Sequence, residues 1–235
     1  IEYLDRYYRG DQPILYRQKV NRPEVNNKVL VNLAYELVER KVAGICAEPI
    51  QYVLRGTDDK KSQEITELNA IVDGEDKQDC DIDICRWRSI CGTAYRFVGN
   101  DNNKGRLLDE SDFSLSCENP IYTFVVYFTN GKPAFSCQIR EGEDGKRVYY
   151  CFTDYQYFII SGGVITDSGI NGNGAIPVIE YPNNSRRISD IEITFPITDA
   201  LNTLSSDRIN GIEQFVSSWI KFVNCEIDKE TFQAM

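Results

Sequence analysis

The sequence predicts an α+β fold: helices flanking an antiparallel β-meander, followed by a long C-terminal helix. Three observations carry this. Apolar residues recur at helical spacing before about residue 91 and again after residue 197. Between them the period drops to two. The turn signals "TNGK" at 129–132 and "EDGK" at 143–146 punctuate that middle stretch.

The first strong helix lies in "RPEVNNKVLVNLAYELVERKVAGIC". Leu30, Leu33, Leu37, Val38 and Val42 share a face, and Asn26 or Asn27 is placed to cap its start. "AEPIQYVL" then predicts a short strand after Pro49. "DDKKSQEITELNAIVDG" predicts a second amphipathic helix, with Gly74 at its C-terminal cap. "DIDICRWRSICGTAYRFVG" predicts helix to about Ile90, a break at Gly92, then a strand "TAYRFV".

The segments "DFSLSC", "IYTFVVYFT", "KPAFSCQIRE", "RVYYCFTD" and "YQYFIISG" predict a meander of four or five strands. In "TNGK", Asn-Gly supplies the two positive φ angles of a type I′ turn. The density of Tyr and Phe fits pleated packing; a base-stacking platform would interleave Lys and Arg, which are sparse here. "SGGVITDSGINGNGAIP" predicts a Gly- and Asn-rich loop, and "VIEYP" one more short strand on the sheet. Pro182 and Pro196 forbid one helix across "NNSRRISDIEITF".

Beyond Pro196 a helix of about 25 residues would run roughly 37 Å. Asp199, Asn202, Ser206, Asn210, Glu213, Ser217 and Lys221 line one face; Leu201, Leu204, Ile212, Phe215, Trp219 and Phe222 line another. Ile209, Val216, Ile220 and Val223 widen the apolar surface. Two readings stand side by side for this face: burial within a larger single domain, or packing between subunits of an oligomer.

Composition narrows function. The formal net charge is −10, so a grip on DNA through its phosphates is disfavoured. Without His there is no Ser-His or Cys-His catalysis and no His-containing zinc site. No apolar run approaches the roughly 18 residues of a membrane span. The eight Cys show no C-x-x-C spacing and read as buried, reduced, intracellular thiols. Asp79, Asp81 and Asp83 alternate like the start of a calcium loop, but Ile84 and Ile90 stand where Gly and Glu belong. Ser218-x-x-Lys221 lacks the partner motifs of an acylating serine, and no phosphate-cradling or dinucleotide motif is present. The reading is a non-enzyme without cofactor or metal. The competing readings are an enzyme or ligand binder on the meander, using Cys91 or Cys151 as nucleophile, and a protein-binding adaptor module.

Three stretches, in order, resemble the portal (connector) proteins of tailed bacteriophages, siphophage type. They are "YLDRYYRGDQPILYR" with the Asn-rich helix start that follows it, Gly92-Thr-Ala-Tyr95, and "GAIPVIEYPNN" followed by "SDIEITFPITDALNTLSSDRINGIEQF". The resemblance implies a homo-oligomeric ring of about twelve subunits at a capsid vertex of the virion, put together in the host cytoplasm. It also implies the family's partners: terminase, a head–tail adaptor, capsid and scaffold proteins, and double-stranded DNA passing through without sequence-specific binding. No membrane is involved. Residues 1–196 would form the wing-like domain and 197–235 the start of the stem. The family's clip, second stem helix and crown have no counterpart in these residues. Asp199, Asn202, Ser206, Asn210 and Glu213 become candidates to face the channel or a neighbouring stem. Leu204, Ile212, Phe215 and Trp219 become the candidate subunit-packing face.

Overall fold

The computed structural model describes residues 1–20, 23–56, 59–74, 76–100, 113–142 and 144–216. It divides into two units. The first comprises Ile1–Asp11 and Asn32–Thr198, the second Gln12–Val31 and Asp199–Met235.

In the first unit, helices α1 (Glu2–Tyr8), α2 (Leu33–Ile45), α3 (Asp59–Gly74) and α4 (Lys77–Cys91) precede the strands. α2 starts later than the sequence predicts. Its cap is Asn32, whose side chain accepts the Tyr35 N–H at 3.2 Å, and not Asn26 or Asn27. Tyr7, Ala34, Val38, Val42, Ile90, Cys91 and Ile191 form the main core, which Phe195 joins at 4.2 Å between ring centroids with Tyr7. These are the i, i+4 positions Ala34, Val38 and Val42 of α2 meeting the end of α4.

The expected strand over "AEPIQYVL" is absent. Side chains hold its backbone instead: Asn69 of α3 accepts from Tyr52 N and donates to Tyr52 O, both at 3.0 Å, and Lys77 Nζ donates to Ile50 O at 3.1 Å. A side-chain amide with one donor and one acceptor does there what a neighbouring strand would do.

α4 ends as expected. Gly92 takes φ 77 and its N–H donates to Arg88 O at 2.9 Å, a left-handed cap. The chain then enters β1 (Thr93–Asn100), which pairs antiparallel with β2 (Phe113–Glu118) on one side and with β8 (Val178–Pro182) on the other. α4 covers this three-stranded sheet through Cys80 and Ile84, which pack with Ala94. The predicted "VIEYP" strand exists as β8, but it lies beside β1 and not on the meander.

The meander is a second sheet of five strands in sequence order: β3 (Thr123–Tyr127), β4 (Pro133–Glu141), β5 (Arg147–Phe152), β6 (Gln156–Ser161) and β7 (Val164–Ile170). β7 occupies part of the stretch expected to be a loop. The turn between β3 and β4 also differs from expectation. Phe128 N donates to Lys132 O at 2.8 Å, and Gly131 alone in that turn has positive φ. This is a three-residue loop with Gly in the left-handed position, not a two-residue type I′ turn. The β4–β5 turn repeats it, with Gly142 N on Lys146 O at 2.8 Å and Gly145 at φ 72.

The Asn-rich stretch at 171–184 closes the two sheets. Asn171 Nδ2 donates to Thr153 O at 2.7 Å and Ala175 O at 2.8 Å, fixing the turn after β7. After β8, Asn183 N donates to Gly92 O at 2.9 Å, and Asn184 Oδ1 accepts from Arg186 N and Ile188 N. Arg187 adopts φ 55, unusual for a residue with a Cβ. Two bonds from its guanidinium to Glu180, at 2.6 and 2.8 Å, hold it there. A Cβ on Gly92 would stand 2.0 Å from Arg187 O, so the cap and this turn fit only around glycine.

Candidate assembly interface

The last helix, α5 (Phe195–Val216), begins with Pro196 in its first turn, where a missing N–H costs nothing. In the second unit its polar residues make one repeated contact. The backbone N–H of Val31 donates to Asn202 Oδ1 at 2.8 Å, that of Val29 to Ser206 Oγ at 2.9 Å, and that of Asn27 to Asn210 Oδ1 at 2.7 Å. The spacing explains the match. Four helical residues rise about 6 Å, and two extended residues advance about 6.6 Å. A comb of side chains at i, i+4 and i+8 thus meets every second amide of an antiparallel extended segment.

The comb is satisfied on its other side as well. Asn202 Nδ2 donates to Gln12 Oε1 at 2.7 Å, and Ser206 Oγ donates to Asn202 O at 2.7 Å. Asn27 Nδ2 reaches Asn210 Oδ1 at 3.0 Å and also Glu213. At the exposed margin Arg17 pairs with Asp207 at 2.7 Å and Lys19 approaches it at 3.5 Å. These cations hold the Asp207 carboxyl below its ordinary range, chiefly through the Arg17 hydrogen bond.

Within the single chain, Asn202, Ser206 and Asn210 are buried against residues 27–31. Their amide and hydroxyl oxygens are the acceptors that an extended backbone without a strand partner requires. Asp199 is half-buried and Glu213 is exposed. The missed partner left only a weak signal: Val29, Leu30 and Val31 form a short apolar run with two β-branched residues inside a stretch read as helix.

The opposite side of α5 is apolar and open. Ile197 is 71% exposed, Leu204 68%, Ile212 56% and Phe215 82%. At about 100° per residue these four fall within a stripe roughly 80° wide, on the far side of the helix from Ser206. Trp219, the remaining residue expected on this face, lies outside the described residues, as do Ser218 and Lys221.

The thiols proposed as nucleophiles are poorly placed for that role. Cys91 is buried in the main core, and burial pushes its thiol up to about 12. Cys151 faces Cys137 across β4 and β5, sulfur to sulfur at 3.5 Å. Asp81 of the alternating acidic run is engaged by Lys77 and Arg96, and the run lies on α4, not in a loop. Among the described residues no group of three or more His, Cys, Asp or Glu is arranged to hold a metal ion. No helix among them is long and apolar enough to cross a membrane.

The sequence matches the family described as phage portal protein, SPP1 Gp6-like, over residues 1–235. The chain belongs to that phage portal family. A comparison with curated proteins finds no match. Membership assigns a structural role in a phage portal. The α+β architecture with a long helix after the sheets agrees with the fold expected of such a subunit.

Proposed function

We propose that the chain supplies the wing and the first stem helix of a portal subunit that assembles with copies of itself into a ring. DNA is packaged and ejected through that ring, which docks the terminase motor and the head–tail connector proteins. The observation that carries this reading is the stripe of Ile197, Leu204, Ile212 and Phe215 on α5, exposed in one chain while Asn202, Ser206 and Asn210 of the same helix are engaged within it. An apolar side chain taken from water into a contact gains roughly 1.5–3 kcal/mol. Four in a row, repeated around a ring, make an association seam. The net charge of −10 suits the channel. Twelve such chains would carry roughly −120, screened within about 8 Å at physiological salt, so passing DNA is not gripped. The reading asks for no reaction within the subunit, since motor hydrolysis belongs to its partner.

The test is end-on electron microscopy and native mass measurement of the full-length protein carrying Leu204→Glu with Phe215→Glu. Wild type is expected to form rings with a central hole, and the variant to remain in small, folded species. Rings of unchanged number in the variant would remove the stripe from the seam. A monomeric, folded wild type would overturn the ring itself.

A further inference from the structure

The C-terminal cap of α2 brings Cys46 against Cys85 on α4, with their sulfurs 2.7 Å apart. That is well inside the roughly 3.5–4.0 Å at which non-bonded heavy atoms settle, and just outside a disulfide's ~2.05 Å. Cys85 packs at the margin of the main core, and neither cysteine takes part in the α5 comb. Cys46 is buried, whereas Cys85 is only half-buried and open to a small reagent.

We infer that Cys46 and Cys85 form a reversible dithiol–disulfide site that fastens the end of α2 to α4. The oxidant is a small-molecule disulfide of the glutathione type. The Cys85 thiolate attacks one sulfur of that disulfide, forming a mixed disulfide and releasing one thiolate. Cys46 gives its thiol proton to solvent and attacks the Cys85 sulfur, and the second thiolate leaves. The protein loses two hydrogens, and one small disulfide becomes two thiols. Cys85 makes the first attack because it is the more accessible of the two, Cys46 being buried. The link closes the chain from residue 46 to residue 85 around α3, a helix whose surface is largely exposed. In a reducing cytoplasm the pair stays open, and in an oxidising exterior it closes. Only that setting rests on the portal reading; the link does not.

The experiment is a titration of the purified full chain in glutathione buffers of rising oxidised fraction, followed by acid quench, alkylation and peptide mass mapping. The expected product is a Cys46–Cys85 peptide pair 2 Da lighter than its reduced parts. A rise in Tm on the order of 5–10 °C should accompany it, and Cys85→Ser should lack that rise. Cys137→Ser should keep it, because the Cys137–Cys151 pair is separate. Phenylarsine oxide, which bridges two neighbouring thiols without oxidation, should label the same pair in reduced wild type, so the result does not depend on the variants folding. Absence of both the link and the arsenical bridge in folded protein would overturn the inference. So would a Cys85–glutathione adduct that Cys46 never resolves.

Discussion

The backbone N–H of Val29 ends on Ser206 Oγ, 2.9 Å away, and the same hydroxyl donates to Asn202 O at 2.7 Å. Ser206 is fully buried, so neither bond has water as a substitute. Ser206→Ala strands a buried amide and should cost about 1–3 kcal/mol. Asn202→Leu removes the acceptor for Val31 and the donor to Gln12 and should cost at least as much. Urea unfolding of each variant checks this; midpoints within error of wild type would show that the segment is held by other means.

Gly92→Ala should be among the most damaging small changes in the first unit. The added carbon meets a backbone oxygen, Arg187 O, at 2.0 Å, and the residue must keep φ near 77. Either the α4 cap or the 183–190 turn must move, and a loss on the order of 3 kcal/mol is expected, combining left-handed strain with the clash. Calorimetry supplies the measurement, with Gly44→Ala as a control, since a Cβ there meets nothing within 4 Å.

Acid should weaken the junction between the two sheets. Burial alone would raise the Glu180 carboxyl, but hydrogen bonds from Arg187, Tyr127 and Thr93 outweigh it and hold it below its ordinary 4.5. Asp190 behaves alike: burial is opposed by Lys41, Ser89 and Asn183, and its carboxyl sits below 3.8. For a carboxyl lowered in the folded state, the unfolded chain binds the extra proton. The stabilisation is therefore full above the unfolded value and fades as pH falls through the folded one. Between pH 6 and pH 3 wild type should lose more stability than Glu180→Gln, which starts lower by about 1–3 kcal/mol. Parallel pH–stability curves for the two proteins would contradict this account.

Leu204→Ser and Phe215→Ser should leave the unfolding midpoint of the isolated chain unchanged to within about 0.5 kcal/mol, because both side chains already face solvent. Sedimentation of the full-length protein should show fewer large assemblies in both. A large stability loss without any change in assembly would place these residues in an internal core.

Helices α2 to α5 and their order were legible because of strong local signals such as the apolar stripe of α2 and the Gly92 stop after α4, whereas α1 was not read as a helix. What escaped was pairing by side chain. Asn69 on Tyr52, and Asn202, Ser206 and Asn210 on residues 27–31, each replace a strand with an amide or hydroxyl. The polar stripe of α5 was a candidate to face the channel or a neighbouring stem because periodicity reports which residues share a side, not what lies against it. Likewise β7 was hidden in a Gly- and Asn-rich stretch, since both faces of that edge strand are largely exposed and it shows little apolar alternation. The open stripe on α5 was visible from Leu204, Ile212 and Phe215 alone, since apolar surface shows its spacing whether or not a partner covers it.

A helix that meets Val29 and Val31 through their main-chain amides sets little store by their side chains, but it is strict about imino acids. Proline at 27, 29 or 31 would delete a tooth's partner, whereas proline at 28 or 30 would leave all three contacts intact. A proline scan along these five positions should therefore alternate between harmful and tolerated, a strand-like rhythm where the partner is a helix.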